Sequence, residues 1–112
     1  MRCILSFADE KIKAEWDRLN ESGRGEDKEL VSMLNRAFDA LEANCRSGVY
    51  IQKKKIPAYY TNKYGELPNL WKYNLNESWR LVYFVTGAGG EPLSVVLEWM
   101  NHKEYERRFG YA

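Results

Sequence analysis

Three segments near the end of the chain have the composition and spacing of β-strands. They cover residues 70–75, 79–85 and 93–100 and are rich in aromatic and branched apolar residues. The connections between them are short, a polar stretch at residues 76–78 and a glycine-rich stretch at residues 86–92, which favours hairpins and antiparallel pairing. Three strands joined in this way constrain the fold more than any other part of the sequence.

The beginning of the chain predicts an edge or near-edge strand followed by a helix. Residues 2–7 form a short apolar run that is typical of a strand. Asp9 is a good N-cap for a helix whose apolar residues recur at helical spacing from Ile12 to Leu19. The glycines within residues 22–25 then end this helix.

A second, longer helix is predicted over residues 26–46. Its apolar residues form a single stripe, which consists of Leu30, Leu34, Ala37, Phe38, Leu41 and Cys45. Because the connection between the two helices is short, we expect them to be antiparallel and to cover one face of a sheet together. With a short helix after the last strand, the sequence predicts one α+β domain over residues 1–112. Its order is β-α-α-β-β-β-α, with a four-stranded, mainly antiparallel sheet.

Residues 47–69 show no regular period and are predicted to form a long, irregular connection. Four lysines and three tyrosines lie within residues 52–68 of this stretch: Lys53, Lys54, Lys55, Lys63, Tyr59, Tyr60 and Tyr64. Such a segment is either a solvated charge run or part of a groove in which aromatic rings and cations bind single-stranded nucleic acid. Its position before the polar strands favours the groove.

The charge of the chain is unevenly distributed, although the net charge is only +1. Residues 1–46 carry eight Lys and Arg against ten Asp and Glu, whereas residues 47–112 carry nine against six. The positive excess therefore lies in the half with the three strands, where a nucleic-acid site would need it.

Several classes of protein are excluded or disfavoured by the sequence. No apolar run approaches the roughly 20 residues that span a bilayer, and the N-terminus lacks the apolar segment of a signal peptide. Cys3 and Cys45 lie at apolar positions, which predicts two buried, reduced thiols. One histidine and two distant cysteines do not provide the usual zinc spacing. We therefore expect a soluble, cytoplasmic protein without a metal or cofactor.

Basic and amide side chains occupy alternate positions on the predicted strands. Lys72 and Asn74 share one face of their strand, since strand side chains alternate between faces. Arg80 lies on the next strand, and residues 102–105 add a histidine, a lysine and a tyrosine after the last one. A face with this composition suits a polyanion that is held and cleaved.

This pattern resembles the RelE/ParE superfamily of toxin–antitoxin toxins, in particular the RelE branch of messenger-RNA endonucleases. The likeness is carried by residues 71–75, 79–83 and 102–105. In that family an aromatic-Lys-apolar-Lys-Leu strand precedes an aromatic-Arg-Leu-Val-Tyr strand, and a basic residue and a tyrosine follow the last strand. Asn74 stands where these strands often carry a second lysine. The resemblance implies a RelE-like fold and a metal-independent endoribonuclease that acts on the ribosome as the toxin of a type II pair.

The resemblance also implies roles for individual residues. Arg80 would bind the phosphoryl oxygens, because its planar fork matches phosphate, and Lys72 would hold the adjacent phosphate. Lys103 would stabilise the leaving group. Tyr105 would stack on a base or assist proton transfer, unless it packs on the sheet with Phe109. The residues expected to bind RNA more generally are Lys53, Lys54, Lys55, Lys63, Asn74, Arg107 and Arg108.

Two residues are candidates for the general base. His102 is the only histidine, and the ordinary pKa of a histidine, about 6.5, suits proton transfer at neutral pH. Glu98 is the second candidate, or it forms a structural salt bridge with Arg80. Alternation along residues 93–100 predicts that Val96 and Glu98 share a face, but it does not determine whether Lys72 lies on that face too.

The implied partners are a small antitoxin that covers the basic face, messenger RNA and the ribosome. Two alternatives stay open. The chain could be a non-catalytic protein of this fold that binds another protein, as ParE-type toxins bind DNA gyrase, or an inactive family member. The near-neutral charge and Asn74 favour the alternatives, whereas the basic residues and His102 together favour the nuclease.

Overall fold

The computed structural model describes residues 2–87 and 90–110 of the chain. Five strands and four α-helices lie within these residues. In chain order they are β1 (Ile4–Phe7), α1 (Glu10–Glu21), α2 (Gly25–Ala43), β2 (Val49–Tyr50), α3 (Ala58–Tyr64), β3 (Trp71–Asn74), β4 (Trp79–Thr86), β5 (Leu93–Asn101) and α4 (His102–Phe109), with a short 3₁₀ helix (Lys53–Lys55) before α3. The α+β class predicted from the sequence is confirmed.

All five strands form one mixed sheet in the order β1-β5-β4-β3-β2. β1 pairs with β5 in parallel, and the other pairs are antiparallel. β1 lies at one edge, as predicted. The predicted number of strands is wrong, because Val49 and Tyr50 pair with Lys72 and Trp71 and add a fifth strand at the other edge. A strand of two residues is too short to show a period in the sequence.

The segment from residue 47 to residue 69 is more regular than predicted. It contains β2, the 3₁₀ helix and α3. Gly65 ends α3 with a φ of 80°, a left-handed conformation that glycine adopts without steric cost. Tyr60 of α3 is fully buried, so this helix packs on the body of the protein.

The two long helices follow the predicted pattern. The side chain of Asp9 accepts a hydrogen bond of 2.9 Å from the backbone N–H of Ile12 and thereby caps α1. The apolar stripe of α2 is buried, and Cys45, which follows the end of the helix, is buried as well. An edge-to-face contact of 5.0 Å between Trp16 and Phe38 joins the two helices.

Each face of the sheet has its own apolar cluster. α1 and α2 cover one face, where Leu81, Tyr83 and Val96 belong to the cluster. The opposite face, which we call the α4 face, is covered by α3, α4 and the segment around them. Its buried residues are Ile51, Tyr60, Leu67, Leu70, Val82, Leu97, Met100 and Tyr105.

A β-bulge interrupts the pairing of β4 with β5. Val82 pairs with Glu98, but the next residue, Tyr83, pairs with Val96, so Leu97 is the extra residue. Val96 therefore packs under α1 and α2, whereas Glu98 lies on the α4 face with Val82. The predicted alternation along β5 is wrong at this point, because a bulge shifts the alternation by one residue.

Cys3 and Cys45 are both buried, as predicted, but they form a disulfide, so the expectation of two thiols is wrong. Their Cα atoms are 5.6 Å apart, a usual separation for a disulfide. The N–H of Cys3 donates to the carbonyl oxygen of Glu42 at 2.8 Å and holds the start of β1 beside the end of α2. The separation of the two cysteines along the chain does not indicate this proximity.

Within the described residues, no helix combines the length and the apolar character that crossing a bilayer requires.

Candidate active site

The predicted polar residues of the strands lie together on the α4 face. Asn74 of β3 pairs with Arg80 of β4, which pairs with Met100 of β5. Lys72 pairs with Val82, and Val82 lies on the same face as Arg80 because both precede the bulge. Lys72 therefore lies on that face too. Diagonal neighbours on paired strands lie about 7–8 Å apart, so Lys72 and Arg80 are close enough to contact one ligand.

The turn between β3 and β4 holds the guanidinium group of Arg80. Nη1 donates to the carbonyl oxygens of Asn76 and Trp79 at 2.7 and 3.1 Å. Nη2 lies 3.4 Å from Nδ1 of His102. A guanidinium group has five N–H donors, so two of them are left for an anion after these three contacts. The structure does not contain the salt bridge between Arg80 and Glu98 that the sequence left open. Arg80 instead contacts the turn and His102.

His102 is the first residue of α4, and its backbone is fixed by the same turn. Its N–H donates to the carbonyl oxygen of Ser78 at 2.7 Å. A capping box between Asn101 and Glu104 defines where α4 begins. On the helix surface, Nε2 of His102 lies 3.4 Å from Oε1 of Glu106. The imidazole ring is therefore positioned through its backbone and contacted at both nitrogens.

Tyr105 is part of the apolar cluster of the α4 face and is only 4% exposed. Its ring stacks on Phe109 with a centroid distance of 4.4 Å. The ammonium group of Lys72 lies over the ring, 5.3 Å from its centroid. A ring this deeply buried has no free face for a base, so the structure favours the packing alternative over the stacking role. Tyr105 instead helps to hold the Lys72 cation in place.

Lys103, Arg107 and Asn74 are exposed on the surface around this site. Lys103 follows His102 in the first turn of α4, and Asn74 faces Arg80 across the β3–β4 hairpin. Within residues 2–87 and 90–110, no ion pair or hydrogen bond engages the side chain of Lys103. Its ammonium group is therefore exposed and unpaired within these residues.

Glu98 is engaged by two partners and is a poor candidate for a base. Its Oε2 accepts a hydrogen bond of 2.6 Å from the hydroxyl group of Tyr60, and its Oε1 lies 3.1 Å from Nη2 of Arg108. The guanidinium group of Arg108 also stacks on Tyr59, 3.5 Å from the ring centroid. Arg108 was predicted to bind RNA, but the structure commits it to this network between α3, β5 and α4.

The lysines predicted to bind RNA along residues 47–69 are spread over two elements. Lys53, Lys54 and Lys55 form the exposed 3₁₀ helix, where Lys53 makes an exposed pair of 3.7 Å with Glu66, and such pairs add little stability. Lys63 lies between the rings of Tyr59 and Tyr64.

One cavity lined by the described residues does not include the predicted catalytic residues. It has a volume of about 520 Å³ and lies between α1 and α3, with Lys63 and Glu98 in its wall. Lys63 therefore lies in a cleft between α1 and α3. Arg80 and His102 lie elsewhere, at the β3–β4 turn.

The sequence analysis did not identify Glu106 as a site residue, and it placed Tyr60 in a groove without identifying its contact with Glu98. Glu106 could have been found, because residues i and i+4 on a helix are neighbours and His102 stands at that spacing. No pattern in the sequence marks Tyr60 as the partner of Glu98, since the contact spans 38 residues.

A comparison of the chain with protein-family models, curated proteins and solved structures finds no match.

Proposed function

We propose that this protein is a metal-independent endoribonuclease with a RelE-like fold, the toxin of a toxin–antitoxin pair that cleaves messenger RNA. The observation that carries the proposal is the 3.4 Å contact between Arg80 Nη2 and His102 Nδ1. It supports a nuclease because a phosphate held by Arg80 would lie beside the one side chain that exchanges protons near neutral pH. Stabilising the phosphoryl oxygens and accepting a proton are the two tasks that cleavage by the neighbouring 2′-OH requires.

The reaction follows from these positions. Arg80 donates its two free N–H groups to the phosphoryl oxygens, and Nδ1 of His102 exchanges its contact with Arg80 for the ribose 2′-OH and accepts the proton of that hydroxyl group. The 2′-oxygen attacks phosphorus, the bond from phosphorus to the 5′-oxygen breaks, and that oxygen takes a proton from the ammonium group of Lys103. The products are a 2′,3′-cyclic phosphate and a 5′-hydroxyl end.

The RNA is proposed to run along the β3–β4 hairpin, over the polar side chains of the α4 face beside α4. Lys72 holds the phosphate next to the scissile one, and Asn74 donates hydrogen bonds across from Arg80. Arg107 and the exposed lysines of the 3₁₀ helix (Lys53–Lys55) extend the positive surface. A footprint of this kind loses affinity as salt rises, because phosphate binding releases counterions.

A function on messenger RNA and the ribosome belongs in the cytoplasm, where disulfides are reduced. The disulfide between Cys3 and Cys45 is unusual for that compartment and argues against this part of the proposal. The antitoxin would be a small protein that folds on binding and covers the α4 face.

One observation favours a second candidate, a non-catalytic protein that acts by binding another protein, as ParE-type toxins bind gyrase. The edge strand β2 exposes Val49 and Tyr50 to 51% and 52%. An apolar edge strand with unpaired backbone groups suits strand addition by a protein partner. This candidate needs neither His102 nor Arg80.

Expression in bacteria without a partner protein tests the proposal. We expect growth arrest by the wild type and relief by Arg80→Ala. Arg36→Ala is the matched control, since Arg36 is an exposed arginine on α2 and its loss should leave the arrest unchanged. If Arg80→Ala arrests growth as strongly as the wild type while the protein is folded, the second candidate replaces the nuclease.

A further inference from the structure

Two contacts on the imidazole ring of His102 fix which of its nitrogens carries the proton. Nδ1 faces Nη2 of Arg80 at 3.4 Å, and Nε2 faces Oε1 of Glu106 at 3.4 Å. A guanidinium group only donates hydrogen bonds, and an ionised carboxylate only accepts them. In the neutral ring the charges on either side therefore favour Nδ1 as the acceptor of the Arg80 N–H and a proton on Nε2 beside the carboxylate of Glu106.

The other tautomer is disfavoured at both ends. It would turn an N–H of the imidazole towards an N–H of Arg80 and a lone pair towards the carboxylate of Glu106. Both contacts would then be repulsive, whereas in the first tautomer both are attractive. The two contacts come from different elements, Arg80 from β4 and Glu106 from α4, and they agree on one proton position.

We propose that Glu106 is a positioning residue, which holds His102 as the Nε2–H tautomer with the lone pair of Nδ1 turned towards Arg80. This inference rests on the proposed function, in which Nδ1 takes the proton of the 2′-OH. Glu106 does not touch the RNA. It orients the ring and stabilises the imidazolium that forms when Nδ1 has taken the proton, as a buried or nearby carboxylate does for other catalytic histidines.

The local geometry explains why Glu106 can have this role. His102 and Glu106 stand one helical turn apart on α4. The backbone N–H of His102 donates to the carbonyl oxygen of Ser78 at 2.7 Å. This hydrogen bond fixes the backbone from which the side chain extends, and the contact with Glu106 then sets the rotation of the ring. The charged groups that contact the ring are Arg80 from β4 and Glu106 from its own helix.

The tautomer can be measured without any activity, since this is the only histidine of the chain. Imidazole ¹⁵N chemical shifts in the full-length protein distinguish a protonated from an unprotonated ring nitrogen. We expect the neutral ring of the wild type to be mainly Nε2–H. Glu106→Ala should produce a mixture of tautomers, and Glu106→Gln, which still offers a carbonyl oxygen, should restore most of the wild-type preference. Glu66→Gln removes the same charge from an exposed site and should change nothing.

Cleavage kinetics then give a second readout. Glu106→Ala should lower the rate about 10-fold or more, because the ring is less well oriented and the imidazolium that forms in the reaction loses its carboxylate partner, and Glu106→Gln should restore part of the rate. Tautomers that are equal in the wild type, or unchanged in Glu106→Ala, would overturn the role of Glu106. If the tautomers behave as expected but no RNA is cleaved, the proposed nuclease function fails and the assignment of the proton stands.

Discussion

The hydroxyl group of Tyr60 donates a hydrogen bond of 2.6 Å to Glu98, a carboxylate on the central part of β5. With the ion pair of 3.1 Å between Glu98 and Arg108, this contact ties α3 and α4 to the sheet. The same helix α4 carries His102 and Lys103. The network therefore holds α4, which carries part of the candidate site, against the sheet. It takes no part in the proposed proton transfers.

Glu98→Gln is expected to lower the free energy of unfolding by about 1–3 kcal/mol, because it leaves the charge of Arg108 without its partner in a partly buried position. Denaturant unfolding measures the change. Glu66→Gln, in an exposed pair with Lys53, should stay within about 0.5 kcal/mol of the wild type. A Glu98→Gln variant that loses the acidic limb of the cleavage profile would show that Glu98 is the base after all.

Two buried tyrosines predict a loss of stability at alkaline pH. Burial raises the pKa of Tyr60, with a further contribution from Glu98, and burial raises the pKa of Tyr83 to about 12. An unfolded tyrosine ionises near pH 10. Above that pH the unfolded chain therefore binds fewer protons than the folded one, and the free energy of unfolding falls as pH rises.

Unfolding measured from neutral pH to about pH 12 checks this dependence. Below about pH 10 the two tyrosines should contribute no slope. Tyr83→Phe should reduce the alkaline slope, whereas the exposed Tyr50→Phe should leave it unchanged. An alkaline slope that is the same in Tyr83→Phe and the wild type would contradict the assignment.

A glycine is required at position 48, because the carbonyl oxygen of Lys72 and the hydroxyl group of Tyr83 occupy the space of a side chain there. A Cβ atom there would overlap the carbonyl oxygen of Lys72 and lie 2.7 Å from the hydroxyl oxygen of Tyr83. Gly48→Ala should therefore cost about 1–3 kcal/mol of stability, measured by denaturant unfolding. Gly23→Ala is the matched control, because a Cβ at Gly23 meets nothing within 4 Å. Equal stability of the two variants would mean that the sheet edge adapts freely.

The disulfide between Cys3 and Cys45 should contribute strongly to stability in the oxidised protein. It closes a loop of 42 residues, for which the chain-entropy estimate is about 4 kcal/mol. The double variant Cys3→Ser, Cys45→Ser and the reduced wild type should both lose stability of this order. If thiol titration of the purified, air-oxidised protein finds both cysteines free, the pair is a dithiol and the loss will not occur.

The parts of the fold that follow local rules could be predicted from the sequence. The cap at Asp9, the stripe of α2 and the three strands from β3 to β5 depend on neighbours in the chain, and they are confirmed. β2 and the bulge at Leu97 could not be predicted, because each depends on pairing with a distant strand. The predicted turn residues Ala88 and Gly89, and Tyr111 at the end of the chain, lie outside the described residues.

The candidate site was predictable in composition and less so in geometry. Alternation put Lys72 and Asn74 on one face, and the hairpin brought Arg80 to the same face. The distances that decide roles depend on tertiary packing. Tyr105 and Arg108 were expected to meet RNA, but one is buried against Phe109 and the other pairs with Glu98.

The most direct test of the account is an end-group analysis of messenger RNA incubated with the purified protein, with and without programmed ribosomes. The account predicts products with a 2′,3′-cyclic phosphate and a 5′-hydroxyl, unchanged by EDTA. Arg80→Ala and His102→Gln should each slow cleavage by about 10²–10³-fold, whereas Arg36→Ala should not. Products with a 5′-phosphate, inhibition by EDTA, or an Arg80→Ala variant as active as the wild type would contradict it.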